Sequence, residues 1–182
     1  MTLIINLIGP PAAGKSTFAA KYILEHPEYR YCTIDEYRIT YKDEHLAWRA
    51  FANDIRNADP VIMESVGLSW RLADMFNTEE ARHRSICTIA FIGTPEILHE
   101  RLTSRQKRMV PGISFDRDED LALDHAIEHI HRSIAPIDLI IDTTKISIED
   151  LYKELSLYIS IQRIEALVPK ARREESYPLK LE

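Results

Sequence analysis

Gly9 and Gly14 bracket Pro10-Pro11-Ala12-Ala13, and Lys15-Ser16-Thr17 follow at once. A loop framed by glycines can turn its backbone N–H groups inward, where side chains would otherwise crowd. The positive end of a following helix and the Lys15 ammonium add to that field, which suits a multiply charged oxyanion. The Ser16 hydroxyl is then placed to ligate the magnesium ion that accompanies a nucleoside triphosphate. Gly9, Ala12, Ala13, Gly14, Lys15, Ser16 and Thr17 are therefore expected to cradle phosphate, with ATP and Mg2+ as the cofactors.

Further along, three polar groups could act on what such a cradle holds. Asp35 heads Asp35-Glu36-Tyr37-Arg38, where a carboxylate could take a proton from an attacking hydroxyl and Arg38 could orient acceptor or phosphate. Helix capping by Asp35, with Arg38 on a solvated face, is the other reading. Glu64 ends an apolar run and could hold the metal or its water shell; a buried structural acid would look the same. Between Arg101 and Arg117 five basic residues face one acidic residue. This segment suits a closing lid that places cations on the transferring phosphoryl group, with Arg101 and Arg105 as candidate cofactor-binding residues.

These residues need a scaffold, and the apolar pattern supplies one. Strand and helix signals alternate, which predicts a mainly parallel sheet covered on both faces. Strands are expected at Leu3–Ile8, Tyr31–Ile34, Val61–Met63, Ile86–Ile92 and Leu139–Ile141. Helices are expected at Lys15–Leu24, at Glu36–Asn57 with a break near Lys42-Asp43, from Pro95, and at Asp118–Ile134. Ser147 and Asp150 resemble a capping pair for the last helix. Gly9, Gly67 and Gly93 each follow a strand, as do Asp35, Glu64, Ser65 and Asp142. Ligands of open α/β sheets bind at that end of the strands. The Asp142-Thr143-Thr144-Lys145 turn is a weak signal for the base side of a nucleotide site.

With 182 residues the chain suits one core, here expected over 1–160 with the lid at about 101–117 and a C-terminal helix and tail over 161–182. A net charge of −6 argues against charge-driven coating of nucleic acid. No apolar run approaches a membrane span, so a cytoplasmic protein is expected, with Cys32 and Cys87 as core thiols. Tyr37, Tyr41, Trp48 and Phe51 could stack bases, but helical spacing of aromatics favours core packing. His125 and His129 lack a third ligand at convincing spacing, which favours a solvated face.

Gly9–Ala19, Thr33–Arg38 and Glu100–Arg108 continuing to Val110-Pro111 together resemble the kinase domain of phage-type polynucleotide 5′-hydroxyl kinases, within the P-loop small kinases. The resemblance implies a P-loop three-layer α/β sandwich with a five-stranded parallel sheet in the order 2-3-1-4-5. It also implies Lys15 and Ser16 on phosphate and magnesium, Asp35 as general base, Arg38 on the acceptor side and Arg105 on the transferred phosphoryl group. The family commonly has an aspartate after the third strand that pairs with the arginine matching Arg38; here Ser65 stands there, one residue after Glu64. The implied activity is transfer of the γ-phosphoryl group to a hydroxyl acceptor, foremost a polynucleotide or nucleoside 5′-hydroxyl, so a nucleic-acid 5′ end is a candidate partner. A kinase of a metabolite, nucleotide or antibiotic, and an ATP-hydrolysing regulatory protein without an acceptor, are the alternatives.

Overall fold

The structure, a computed structural model, describes residues 3–67, 70–76, 84–108, 125–126 and 136–167. Five strands, β1 (Leu3–Ile8), β2 (Arg30–Thr33), β3 (Val61–Glu64), β4 (Ser85–Ile92) and β5 (Leu139–Asp142), form one sheet. Its order is β2-β3-β1-β4-β5 and every pairing is parallel, as expected. Strand β1 is buried along its whole length, because parallel sheets covered by helices have no wet face.

Alternation along the strands sends successive side chains to opposite layers. Leu3, Ile5 and Leu7 of β1 meet Cys87, Ile89 and Phe91 of β4 under helix α1 (Lys15–Glu25), helix α5 (Pro95–Arg108) and helix α6 (Ile148–Leu167). Ile4, Val61, Met63 and Cys32 face the other way. They pack against helix α3 (Glu44–Asn57), helix α4 (Trp70–Phe76) and Ile34 at the start of helix α2 (Ile34–Tyr41). Both thiols are buried and unpaired.

The break expected near Lys42-Asp43 separates α2 from α3. Lys42 takes the left-handed conformation, with φ 53°, and Asp43 caps α3 by accepting a hydrogen bond from Leu46 N at 2.7 Å. One boundary differs from the sequence reading: α2 already begins at Ile34, so Asp35 lies in its first turn rather than beyond the strand. Ser147 caps α6 as expected, accepting from Asp150 N at 3.1 Å and donating to Asp150 Oδ2 at 2.7 Å. Helix α6 continues through residue 161 to Leu167, so a boundary at 160/161 falls inside it.

Residues 101–108 complete α5, and Leu102 is buried in the core, so this part of the expected lid is anchored helix. Residues 109–117, most of the helix expected over 118–134, His129 and the tail beyond 167 lie outside the described residues. Among the described residues no helix is long and apolar enough to cross a membrane.

Candidate phosphoryl-transfer site

The loop after β1 turns because of its glycines. Gly9 has φ 142°, and a Cβ there would sit 2.2 Å from the Phe91 carbonyl oxygen of β4. Only glycine fits such an approach. Gly14, with φ 95°, is the N-cap residue of α1 and accepts from Phe18 N at 3.0 Å. Ala12 is also left-handed, with φ 60°, a conformation that costs an L-residue about 1–3 kcal/mol and that clusters at ligand sites.

Behind this loop Lys15 is only 6% exposed. Its ammonium donates to the carbonyls of Gly9 and Pro10, both at 2.9 Å, and lies 3.8 Å from Glu64 Oε1. Burial pushes its pKa down, Glu64 and then Asp35 push it up, and Arg105 pushes it down. Lys15 is thus under the electrostatic influence of Glu64, Asp35 and Arg105.

Glu64, at the end of β3, is the buried acid of the site. Its Oε1 accepts the Ser16 hydroxyl at 2.9 Å, and its Oε2 accepts the Tyr31 hydroxyl from β2. A buried carboxylate beside a hydroxyl at the mouth of a phosphate loop is a hard oxygen donor set. It fits a magnesium ion that brings phosphate and water as its other ligands.

Asp35, in the first turn of α2, is well exposed, its side chain at 74%. Arg38, one turn on, donates from Nη1 to Asp35 Oδ1 at 3.1 Å. The rest of its guanidinium is forked onto Glu44: Nε reaches Oε2 at 3.0 Å and Nη2 reaches Oε1 at 2.9 Å. Trp48 Nε1 donates to the same Oε1 at 2.8 Å. Arg38 lowers the pKa of Glu44, with Trp48 and Arg71 acting in the same direction. The partner of Arg38 is thus neither Glu64 nor Ser65. Ser65 is buried, and its Oγ accepts from Gly67 N at 3.1 Å.

Arg101 reaches the turn after β5. Its Nη1 donates to Thr143 Oγ1 at 3.0 Å and its Nη2 to the Thr143 carbonyl at 2.9 Å. Gly93 lets this turn come close, since a Cβ there would meet Thr144 Cγ2 at 2.8 Å. Asp142 Oδ1 accepts from Thr144 N and Oγ1, while Oδ2 pairs with Lys145 at 2.8 Å.

Trp48 and Phe51 are buried in the α3 layer and Tyr37 packs against them, whereas Tyr41 is 45% exposed. Core packing thus accounts for three of the four aromatics. Tyr31 and Glu44 are the members of the constellation that sequence reading missed, while Thr143 lies in the turn that it had singled out. Tyr31 reads as an ordinary strand aromatic, and Glu44 lies beyond a helix break. Among the described residues no group of three or more His, Cys, Asp and Glu side chains is placed to hold a metal ion, so a cation here would rest on Ser16, Glu64 and the ligands it brings.

No protein-family model matches this sequence, and no curated protein matches it. Solved structures do share its fold. A gluconokinase from Sinorhizobium meliloti is 14% identical, with 95% of this chain and 97% of that chain covered and a TM-score of 0.61. A shikimate kinase from Bacteroides thetaiotaomicron is 17% identical, with 92% and 100% covered and a TM-score of 0.58. A chain of the Pnkp1/Rnl/Hen1 RNA repair complex is 18% identical, with 72% and 45% covered and a TM-score of 0.55. The fold is that of the small P-loop kinases, of which the phage-type enzymes are one branch. These likenesses do not single out that branch.

Proposed function

We propose that this chain is a magnesium-dependent kinase that transfers the γ-phosphoryl group of ATP to a hydroxyl of a small molecule. The observation that carries the proposal is the buried Lys15 ammonium behind the glycine-framed loop, 3.8 Å from Glu64 Oε1, which in turn accepts the Ser16 hydroxyl at 2.9 Å. Phosphate lysine, metal carboxylate, base and a further arginine, here Arg105 of α5, are the parts that phosphoryl transfer requires. In the mechanism, the loop amides of residues 9–17 and the N-terminus of α1 hold the phosphates. Lys15 leaves the Gly9 and Pro10 carbonyls for the phosphate oxygens. Asp35 takes the proton from the acceptor hydroxyl as its oxygen attacks the γ-phosphorus in line, the bond to the β–γ bridging oxygen breaks and ADP leaves, and Arg105 adds positive charge beside the phosphoryl group. Ser16 and Glu64 would hold magnesium, which supplies charge neutralisation at the phosphates when bound.

Two neighbours that span nearly the whole chain are by name kinases of small hydroxylated acids, and the net acidity of the chain disfavours a polyanionic acceptor. A 5′-hydroxyl of nucleic acid is the second reading. It is favoured by the exposure of Asp35, which leaves room for a strand end, and by the likeness to the RNA repair chain.

The test is a panel of acceptors with radiolabelled ATP: gluconate, shikimate, nucleosides, aminoglycosides and a 5′-hydroxyl oligonucleotide. Transfer to a small molecule supports the first reading, and transfer to the oligonucleotide alone moves the assignment to the second. Asp35→Asn is expected to lose transfer on the order of 10²-fold while ATP still binds. Phosphate release that ignores every acceptor and survives Asp35→Asn would overturn the kinase assignment.

A further inference from the structure

We propose that Tyr31 is a positioning residue for the magnesium-binding carboxylate. This rests on the nucleotide reading of the loop at residues 9–17, and it concerns a residue to which neither sequence motif nor mechanism gives a role.

The two oxygens of Glu64 are divided between two elements. Oε1 accepts the Ser16 hydroxyl of α1 at 2.9 Å and lies 3.8 Å from Lys15 Nζ. Oε2 accepts the phenol of Tyr31 from the edge strand β2. Strand register explains the reach: Tyr31 pairs with Ile62 and Thr33 pairs with Glu64, so the ring lies along β3 toward its final residue.

The partners on Oε1 are temporary. Ser16 must turn a lone pair to the cation, and Lys15 must move to phosphate. Tyr31 is then the remaining donor, among the contacts described here, that holds the carboxylate in one orientation. In so buried a place a hydrogen bond is stronger than in water, and loss of it leaves the acid free to rotate. Hydrogen bonds to ligating carboxylates are worth about 10- to 100-fold in metal affinity.

The competing role for Tyr31 is packing, since its ring also rests against the core of the α1 layer. Tyr31→Phe separates the two, because it keeps the ring and removes only the hydroxyl. The experiment follows binding of a fluorescent N-methylanthraniloyl ATP to the full chain, first in EDTA and then across a Mg2+ titration. The expected result for Tyr31→Phe is EDTA affinity within about twofold of wild type, and about a tenfold or greater rise in the Mg2+ needed for half-maximal binding. In a Glu64→Gln background, Tyr31→Phe should add nothing further.

An unchanged Mg2+ requirement in Tyr31→Phe overturns the proposal. Equal loss with and without Mg2+ also overturns it and assigns the hydroxyl to holding the loop. Wild-type binding that ignores Mg2+ removes the metal site and the proposal with it. Absence of any nucleotide binding by wild type is a different failure, that of the phosphate loop itself.

Discussion

Arg38 has five N–H donors, and the structure directs them at two carboxylates with unequal grip. A single bond at 3.1 Å goes to Asp35, while two bonds at 3.0 and 2.9 Å go to Glu44, which Trp48 holds in turn. The guanidinium is therefore fixed from behind, and it steers the exposed Asp35 from a fixed base. Glu44→Gln should lower the turnover of the accepted substrate by about 10- to 100-fold, with ATP affinity unchanged. Transfer kinetics alongside nucleotide titration check this, and Arg38→Lys should do no better, because an ammonium cannot fork. Asp35 and Arg38 were legible in the sequence because three residues of helix bring them together. Glu44 was not, since its approach to Arg38 depends on the left-handed turn at Lys42. The Tyr31–Glu64 contact was equally hidden, because it depends on strand register.

The elements that carry the site are tied by close backbone approaches, and β4 is the strand that the phosphate loop leans on. Gly9→Ala would drive a methyl to 2.2 Å from the Phe91 carbonyl, so loop or strand must shift. The expected outcome is a loss of stability of about 1–3 kcal/mol together with weakened ATP binding, read by thermal melting and nucleotide titration. A second test belongs to the turn after β5. Hydrogen bonds from Lys145 and Thr144 hold the Asp142 carboxyl down at about 2, against an ordinary value of 3.8. Its folded pKa is depressed, so its contribution is present above about pH 4 and is lost as pH falls through about 2. The melting-temperature gap between wild type and Asp142→Asn should close across that window and stay constant above it. At this scale the sequence was more informative. Apolar runs located all five strands within a residue or two, and the Lys42-Asp43 break announced two helices. The start of α2 was misplaced because Ile34 continues an apolar strand pattern yet points into the α3 layer as the first helical residue.

Across the whole molecule, one sheet separates two apolar layers, and the site lies where the strands end between them. The α1 layer brings Lys15, Ser16 and, through α5, Arg105; the α2–α3 side brings Asp35, Arg38 and Glu44. Glu64 ends β3, the strand between β1 and β2, and so borders both sets. The order 2-3-1-4-5 followed from the resemblance rather than from any single residue. Of the lid expected over 101–117, residues 101–108 belong instead to a helix anchored by Leu98 and Leu102.

Each layer also contains one sulfhydryl: Cys87 lies under α1 and α6, Cys32 under α3. Burial raises both thiol pKa values, that of Cys87 to about 12, so neither should react with a maleimide until its own side opens. Two alkylation clocks are thus built into the polypeptide, and single-cysteine variants would show whether its halves loosen together or in turn.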